Sequence, residues 1–373
     1  MKDMHGIIFA YPSHIRLKEL TEHRTASSVP FGGRYRVIDF MLSNMVNAGV
    51  NDVGVIMREN YQSLLDHLGS GKDWDLSRKR GGLRLLPPFG YAGGPRDANT
   101  YRGRMEALFS VTNYISRIRQ EYVVLADGDI VVNLPLEEIF RNHLDSGADI
   151  TCVCTSPAYC PEGDDVGFVT LGKGGRVTDV SLGRPEKDSK GLLNTYILSK
   201  KLLENLMAHC AAHNLYHFQR DVLQNMNDRL NIAGWEFGGF SARLQSVSDY
   251  FVQSMNLLKP EVRGDLFSRA RPIKTKVRDE ASTYYGPSSR VKNCFVADGC
   301  YLEGEIENSI IFRGVRIEEG AKVKNCILMQ DTRVLSGASI TYAITDKDVS
   351  INPGRTLVGH ESYPIAISKG AVV

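Results

Sequence analysis

The sequence predicts an α/β protein: a Rossmann-like domain with a mixed, mainly parallel sheet, followed by a C-terminal parallel β-helix of hexapeptide repeats. Apolar runs of strand length alternate with helical patterns up to about residue 255, and aliphatic residues recur every six positions after residue 291. Between these regions lies a charged segment with two prolines, at 257–276. The predicted domains are therefore residues 1–256 and 281–373, with a linker at 257–280.

The N-terminal half contains short apolar runs with the composition of β-strands. They occupy residues 5–11, 52–57, 122–127 and 149–155. Helical patterns lie between them, at 40–49 and at 106–119. Strands separated by helices are typical of βαβ units and a mainly parallel sheet. In such sheets ligands bind beyond the carboxyl ends of the strands, so we expect a site in the segments after Ala10 and after Leu125.

The C-terminal region has a six-residue period. The aliphatic positions in this register are Ile311, Ile317, Val323 and Met329, with Val334 and Ile340 continuing it after a slip of one residue. Glycines are frequent in the same stretch, at positions 299, 304, 314, 320, 337, 354 and 359. This pattern indicates a β-helix in which each six-residue side buries its aliphatic residue in a shared interior. An irregular sheet domain is the alternative.

Composition excludes several classes of protein. The formal net charge is +2, which favours neither a nucleic-acid partner nor an anionic membrane. No apolar run approaches the roughly 18 residues of a membrane span, and the N-terminal apolar stretch is too short for a signal peptide. The seven cysteines are an odd number without a Cys-x-x-Cys pair, so we expect free thiols in a reducing cytoplasm.

Several long motifs resemble the ADP-glucose pyrophosphorylase (glucose-1-phosphate adenylyltransferase) family. They are VPFGGRYRVIDFMLSNMVNAGVNDVGVI at 29–56, NYQSLLDHLGSGKDWDL at 60–76, GGLRLLPP at 81–88, TYRGRMEALFSVTNYI at 100–115, VVLADGD at 123–129, WEFGGF at 235–240 and SMNLL at 254–258. The resemblance covers nearly the whole chain. It implies a nucleotidyltransferase domain with a left-handed β-helix, and synthesis of ADP-glucose and pyrophosphate from ATP and glucose 1-phosphate by a Mg²⁺-dependent tetramer.

The phosphate-binding loop departs from the family pattern. The resemblance implies Gly-Gly-x-Gly-Thr-Arg-Leu after the first strand, because backbone N–H groups must approach the phosphates closely. Here the sequence from residue 11 is Tyr-Pro-Ser-His-Ile-Arg-Leu. Tyr11 and His14 add bulk, and Pro12 has no N–H to donate. Only Arg16 of the polar positions is retained. An ordinary strand-to-helix turn is the alternative interpretation of this segment.

Cation and metal positions also differ from those the resemblance implies. The family lysine before Phe-Gly-Gly corresponds to Ala26. Asp129 matches one metal-binding aspartate, but Arg243 stands at the position of the second. Asp127 and Asp129 could together hold a cation, or form a solvated strand end. We expect Mg²⁺ to bind poorly because a guanidinium opposes a divalent cation. Mg²⁺ is expected as a cofactor only if the protein is active.

The resemblance also places substrate-binding and effector positions. The family Glu-Lys-Pro that binds glucose 1-phosphate corresponds to Gly183-Arg184-Pro185, so Arg184 is the residue expected to contact a phosphate. Tyr101 and Gly103 lie in another motif at the substrate site. A separate anion site for a sugar-phosphate, sulfate or phosphate effector is expected from His23, Arg24, Arg34, Arg36 and Arg355. Arginines packed on carboxylates are the alternative for this group.

The losses coincide with the chemistry, while the surrounding motifs persist. We therefore expect a catalytically impaired regulatory or structural subunit that partners an active ADP-glucose pyrophosphorylase subunit in glycogen biosynthesis, as a hetero-oligomer that the resemblance implies is a tetramer. The alternative is an active adenylyltransferase with a divergent site. An acyltransferase, common among hexapeptide proteins, is disfavoured because the β-helix region contains only His360 as a candidate catalytic histidine.

Overall fold

The computed structural model describes residues 3–11, 17–87, 101–156 and 163–373, with the side chains of 163–165 excepted. The chain forms two compact units. The first comprises Met1–His14, Phe40–Arg243 and Arg269–Lys274, and the second comprises Ile15–Asp39, Leu244–Ser268 and Thr275–Val373. The units interleave along the chain. The sequence-based boundaries at 256 and 281 remain a prediction.

The first unit is built on one mixed sheet. Nine strands of the described chain form it, and seven of them follow the order Val177–Gly183, Gly163–Leu171, Lys190–Ser199, Tyr122–Asp127, Met4–Phe9, Asp52–Ile56 and Gly82–Leu86. Ile150–Thr155 pairs with Lys190–Ser199, and Ile232–Phe237 pairs with Ile150–Thr155. Met4–Phe9 is parallel to both of its neighbours, whereas Lys190–Ser199 is antiparallel to its partners. The predicted mixed, mainly parallel sheet is confirmed.

Helices cover this sheet and supply its core. The α-helices are Val37–Asn47, Gln62–Leu68, Arg104–Ser110, Thr112–Ile115, Leu136–Ser146 and Lys200–Ala212. A π-helix spans Phe218–Gln224, and short 3₁₀ helices span Lys72–Trp74 and Lys173–Gly175. The single helix predicted at 106–119 is wrong in detail. Two helices form instead, separated at Val111. The backbone of Val111 is not helical, and its N–H donates to the carbonyls of Leu108 and Phe109.

Three parallel sheets form the β-helix of the second unit. In the described chain each sheet has five strands: Tyr284–Tyr285, Tyr301–Leu302, Arg316–Ile317, Arg333–Val334 and Ser350–Ile351; Arg290–Lys292, Glu305–Glu307, Lys322–Lys324, Ser339–Thr341 and Thr356–Val358; and Phe295–Val296, Ile310–Ile311, Ile327–Leu328, Ala343–Thr345 and Ile365–Ile367. Residues 316, 333 and 350 are in register, so the later coils repeat every 17 residues. The predicted hexapeptide-repeat β-helix is confirmed.

The 17-residue coil explains the slip in the hexapeptide period. Two sides of a coil advance by six residues, but the side from Val323 advances by five, so Leu328 rather than Met329 joins the interior cluster. Met329 is buried outside that cluster. The sequence-based placement of Met329 in the inward register is therefore wrong by one residue, because a strict period of six does not divide a 17-residue coil.

The remaining segments of the second unit surround a short hairpin. Pro30–Phe31 pairs antiparallel with Tyr35–Arg36, and the 3₁₀ helices Lys18–Thr21 and Ala26–Ser28 precede it. The helices Val247–Met255 and Pro260–Leu266 follow later in the chain, linked by a 3₁₀ turn at Asn256–Leu258. The hydroxyl of Tyr250 donates to the carbonyl of Pro30 at 2.8 Å. This bond ties the hairpin to the helix Val247–Met255.

The helices and the cysteines bear on two expectations from composition, the absence of a membrane span and the presence of free thiols. In the described parts of the chain, none of the helices combines the length and the apolar composition needed to cross a lipid bilayer. The cysteines within those parts are free thiols, and most of them are buried. Cys160 lies outside the described residues.

Candidate functional site

The first unit brings the two expected strand ends together. Phe9 and Asp127 are in register on parallel strands, and the N–H of Gly128 donates to the carbonyl of Phe9 at 2.9 Å. The short strand Ser241–Arg243 pairs antiparallel with Ile130–Val132, which sets Arg243 opposite Ile130. A cavity of about 140 Å³ opens here, lined among the described residues by Phe9, Tyr11, Tyr101, Arg102, Gly103, Arg104, Asp127, Asp129, Leu182, His217, Phe218, Gln219, Arg220 and Arg243.

Two guanidinium groups hold the carboxylate of Asp127. Arg104 donates to both carboxylate oxygens, at 3.0 and 2.6 Å, and Arg243 Nη2 lies 3.4 Å from Oδ2. Burial by itself raises the pKa of Asp127, but the attraction of Arg104, aided by Arg243, outweighs it and leaves the pKa below its ordinary value. Asp127 is therefore an ionised, internally neutralised carboxylate.

Asp129 is buried in a different electrostatic environment. Its side chain is 4% exposed, and Oδ1 has no hydrogen-bond partner among the described residues. Burial raises the pKa of Asp129 to about 6, the positive charge of Arg243 opposes this rise, and repulsion from Asp127 adds to it. Both aspartates are buried, so the alternative of a solvated strand end does not hold for them.

These residues do not fit a magnesium ion. Magnesium requires near-octahedral oxygen coordination, usually with one or two free carboxylates. Asp127 is already engaged by Arg104 and Arg243, and Asp129 is one carboxylate facing a guanidinium. Within the described ranges, no group of three or more His, Cys, Asp and Glu side chains could hold a metal ion. The two carboxylates are therefore better suited to the guanidinium groups of Arg104 and Arg243 than to a bound divalent cation.

A buried polar network extends from Asp127 to the π-helix. Asn194 donates to Asp127 Oδ2 at 2.7 Å and accepts from Gln219 Nε2 at 2.6 Å and from the Tyr196 hydroxyl at 3.0 Å. Asn194 has φ +48° at a register shift in the strand Lys190–Ser199. A non-glycine residue in this strained region is retained where its surroundings require it. The network sets the orientation of Asp127.

Aromatic rings form one wall of the cavity. Tyr11 is buried, and its ring lies 5.1 Å from that of Tyr101. Burial raises the pKa of Tyr11 well above its usual value, so the hydroxyl is neutral. A Cβ on Gly103 would overlap the backbone oxygen of Tyr216, so glycine is required where the chain enters the helix Arg104–Ser110. Tyr11, Tyr101 and Gly103 thus lie together at this cavity.

The remaining expected site residues are not among the described residues that line the cavity. Arg184 is exposed and follows the strand Val177–Gly183, whose Leu182 lines the cavity. Pro12, His14 and Arg16 lie outside the described residues. Ala26 is buried in a 3₁₀ helix of the second unit.

Arg24 of the second unit is an internal ion-pair residue. It donates to both carboxylate oxygens of Asp346, each at 2.8 Å, and the two side chains are 4% and 1% exposed. Asp346 also accepts from the backbone N–H of Lys347 at 2.7 Å. The structure therefore agrees with the alternative interpretation of Arg24, an arginine packed on a carboxylate.

Lys347 joins Arg24 and Arg36 in a cluster of cations that we name the corner cluster, together with Arg278. Burial lowers the pKa of Lys347 to about 7, and the positive charges of Arg36, Arg24 and Arg278 contribute to the decrease, while Asp346 opposes it. The mutual repulsion of these cations favours the binding of an anion. Sequence reasoning missed Lys347, and the available signal was a charged Asp-Lys-Asp run inside an otherwise aliphatic repeat.

The other expected effector residues are not in the corner cluster. Arg34 is exposed and its guanidinium lies 5.3 Å from the ring centroid of Tyr35. His23 is also exposed. Arg355 lies at the turn between Ser350–Ile351 and Thr356–Val358, whereas Lys347 lies at the turn between Ala343–Thr345 and Ser350–Ile351. Arg355 and Lys347 thus occupy different corners of the same coil.

Sequence reasoning also missed Arg104, Asn194 and Gln219. Arg104 had one detectable signal: a cation in the first turn of a helix is opposed by the helix dipole unless a specific partner compensates it. Asn194 and Gln219 had no such signal, because their roles depend on contacts between separate elements.

Two family models match the chain. The first, described as nucleotidyl transferase, matches residues 5–233. The second, described as GlmU-like, C-terminal hexapeptide, matches residues 278–363. These matches agree with the mixed sheet of the first unit and with the β-helix of the second.

Curated relatives match over most of their length. The protein named "Glycogen biosynthesis protein GlgD" of Bacillus subtilis (strain 168) is 37% identical over 371 residues, which cover 99% of this chain and 96% of the relative. The protein of the same name from Geobacillus stearothermophilus is 37% identical, with coverage of 99% and 97%. A glucose-1-phosphate adenylyltransferase of Pseudothermotoga lettingae is 31% identical, with coverage of 87% and 77%. This chain belongs to the nucleotidyl transferase family that includes the GlgD glycogen biosynthesis proteins and the glucose-1-phosphate adenylyltransferases.

Proposed function

We propose that this protein is a non-catalytic subunit in glycogen biosynthesis that associates with an active glucose-1-phosphate adenylyltransferase and regulates it. The observation that carries the proposal is the pairing of Asp127 with Arg104 and Arg243. Nucleotidyl transfer depends on metal ions and cations that stabilise charge on the transferring phosphates. A carboxylate that two arginines already neutralise is a poor ligand for such a metal.

The names of the relatives support the same proposal. Two relatives that cover nearly the whole chain are named for glycogen biosynthesis rather than for an enzymatic reaction. The adenylyltransferase relative matches at lower identity and coverage. A partner subunit needs the family fold but not a metal-binding carboxylate pair, because subunit contacts depend on the scaffold and not on the reacting groups.

The test is a pyrophosphorylase assay of the purified chain, alone and mixed with the glucose-1-phosphate adenylyltransferase of Geobacillus stearothermophilus. Alone, we expect turnover at least about 100-fold below that enzyme, since losing one electrostatic catalytic group already costs that much. In the mixture we expect a hetero-oligomer on size-exclusion chromatography and a changed rate or effector response. An equal amount of heat-denatured chain is the control. Robust turnover by the chain alone would establish the alternative, an active adenylyltransferase with a divergent site.

The corner cluster supports a second part of the proposal, an effector site for sulfate, phosphate or a sugar phosphate. Arg24, Arg36, Arg278 and Lys347 contribute to it, and Asp346 neutralises one of their charges. Burial is the main cause of the lowered pKa of Lys347, and an anion bound there would relieve the repulsion that adds to it. His23, Arg34 and Arg355 stay proposed contributors from outside the cluster.

Sulfate affinity is expected to increase as the pH falls from about 8.5 to 6. In the folded protein the pKa of Lys347 is lowered to about 7, so its positive charge is complete only below that pH. Sulfate itself does not titrate in this range, so the dependence reports on the protein. Isothermal titration calorimetry across the pH range measures it.

The matched variants for this measurement are Lys347→Arg and Lys347→Gln. Arginine keeps its charge throughout, so Lys347→Arg should bind sulfate with little pH dependence. Lys347→Gln should bind weakly at every pH. Unchanged pH dependence in both variants would place the titrating group elsewhere.

A further inference from the structure

The cavity of the first unit is lined by more arginine than acidic side chains among the described residues. Among the described residues that line it are four arginines, against two aspartates. Arg102 pairs with Glu106 and Arg220 with Asp221, and these two carboxylates are not among the lining residues. Asp127 is shared by the other two arginines.

We infer that Arg243 acts as a built-in counter-ion in the place of a divalent metal, and that the cavity therefore takes a polyphosphate anion in its metal-free form. This inference deepens the proposed function, because it rests on the same loss of metal binding. It reverses the usual requirement of a nucleotidyl transferase site, in which phosphates arrive together with the metal.

Backbone pairing makes Arg243 a fixed cation. Its register partner is Ile130, the residue after Asp129, so the guanidinium is anchored next to both carboxylates. Nη2 reaches Asp127, while Nε and Nη1 have no hydrogen-bond partner among the described residues. Buried donors without a partner are costly, and an anionic oxygen entering the cavity would provide one.

Asp127 is not available to a metal that a ligand might carry. Asp127 accepts from Arg104 and from Asn194 at 2.6 and 2.7 Å in addition to its contact with Arg243. A magnesium chelate would bring two further positive charges beside these guanidinium groups, and the described lining offers it no free carboxylate pair. The same polyphosphate without magnesium brings only negative charge, which the arginines attract.

The test compares ligand binding with and without metal. Pyrophosphate and ATP are titrated by calorimetry, each in EDTA and in excess Mg²⁺, against the chain carrying Arg36→Gln to remove anion binding by the corner cluster. We expect at least one of the two probes to bind in EDTA, and excess Mg²⁺ to weaken its affinity at least about tenfold, which corresponds to about 1.4 kcal/mol. Binding of pyrophosphate would identify an inorganic ligand and binding of ATP alone a nucleotide, and either supports the inference.

Variants of Arg243 distinguish this role from a structural one. Arg243→Gln should lose about tenfold in affinity in EDTA and lose the antagonism by Mg²⁺. Arg243→Lys should keep the antagonism, and Arg243→Asp should reverse it, so that Mg²⁺ strengthens binding. Arg229→Gln, which removes an exposed arginine outside the lining, is the control and should bind as the parent does. Thermal unfolding of each variant verifies the native fold.

Three results would overturn the inference. They are no binding of either probe in EDTA, tighter binding with Mg²⁺ than without it, and unchanged binding in Arg243→Gln. These measurements use the isolated chain and no turnover. The partner role could therefore fail in the mixing assay while this inference stands, or the reverse.

Discussion

The Asp127→Asn variant is expected to lose about 3–5 kcal/mol of unfolding free energy, the cost typical of removing one partner from a buried ion pair. Asp127 is 5% exposed and neutralises Arg104 and Arg243. Asparagine keeps the shape but leaves two largely buried guanidinium groups without the carboxylate that they share. Urea unfolding followed by circular dichroism measures the change. A loss of this size would show that the ion cluster around Asp127 stabilises the fold.

Two controls separate this ion cluster from general effects of charge. Arg141→Gln disrupts an exposed pair with Glu137 and should change stability by less than about 1 kcal/mol. The double variant Asp127→Asn/Arg104→Met should be more stable than Asp127→Asn, because it removes the guanidinium that Asp127 chiefly neutralises. A double variant as unstable as the sum of the single variants would contradict a coupled cluster.

Asp127 also sets an acid limit to stability. Its pKa in the folded protein lies below the ordinary value, so its stabilising contribution is present at neutral pH. That contribution is lost as the pH falls from the unfolded pKa through the folded pKa. Asp127→Asn should flatten the pH dependence of stability in this acidic range.

Replacing Arg24 by methionine is expected to cost about 3–5 kcal/mol as well, because it leaves the carboxylate of Asp346 buried without its guanidinium partner. The pair joins the N-terminal part of the second unit to its β-helix, with both hydrogen bonds at 2.8 Å. The same variant should weaken sulfate binding, since it removes one cation of the corner cluster. Chemical unfolding and calorimetry on the same samples measure both effects.

The double variant Arg24→Met/Asp346→Leu tests whether the pair is coupled. Replacing both charges with apolar groups should restore much of the stability lost in either single variant. Arg34→Gln is the matched control from the same segment. Arg34 is exposed beside the Tyr35 ring, so its loss should cost about 1 kcal/mol or less. Equal losses in Arg24→Met and Arg34→Gln would show that burial of the Arg24 pair has no energetic role.

The sheet and the β-helix were predictable because their signals are local. Period and composition indicated strands within one or two residues of those observed, such as Tyr122–Asp127 and Asp52–Ile56. The same local signals did not show that one side of the 17-residue coil is shorter, because the length of a coil is set by the pairing of neighbouring coils. The helix break at Val111 was likewise invisible to a pattern that continues on both sides.

For the candidate site, the long motifs were sufficient to identify Asp127, Asp129 and Arg243 as positions of interest. The motifs could not show that Arg104 would hold Asp127, that Asn194 would connect it to Gln219, or that Lys347 would lie beside Arg36. These contacts join residues that are distant in the chain, such as Asn194 and Asp127. Periodicity and motif spacing carry no information about them.

The amino-acid sequence by itself determined the fold class, the family and the positions at which this chain departs from the motifs that the resemblance implies. It did so because strand and helix periods, and motifs of many residues, are properties of short stretches of chain. Only the tertiary structure decided what Arg243 contacts. Arg243 meets Asp127 because two strands pair, and the resulting internal ion pair arises from burial and charge compensation that no single stretch of sequence contains.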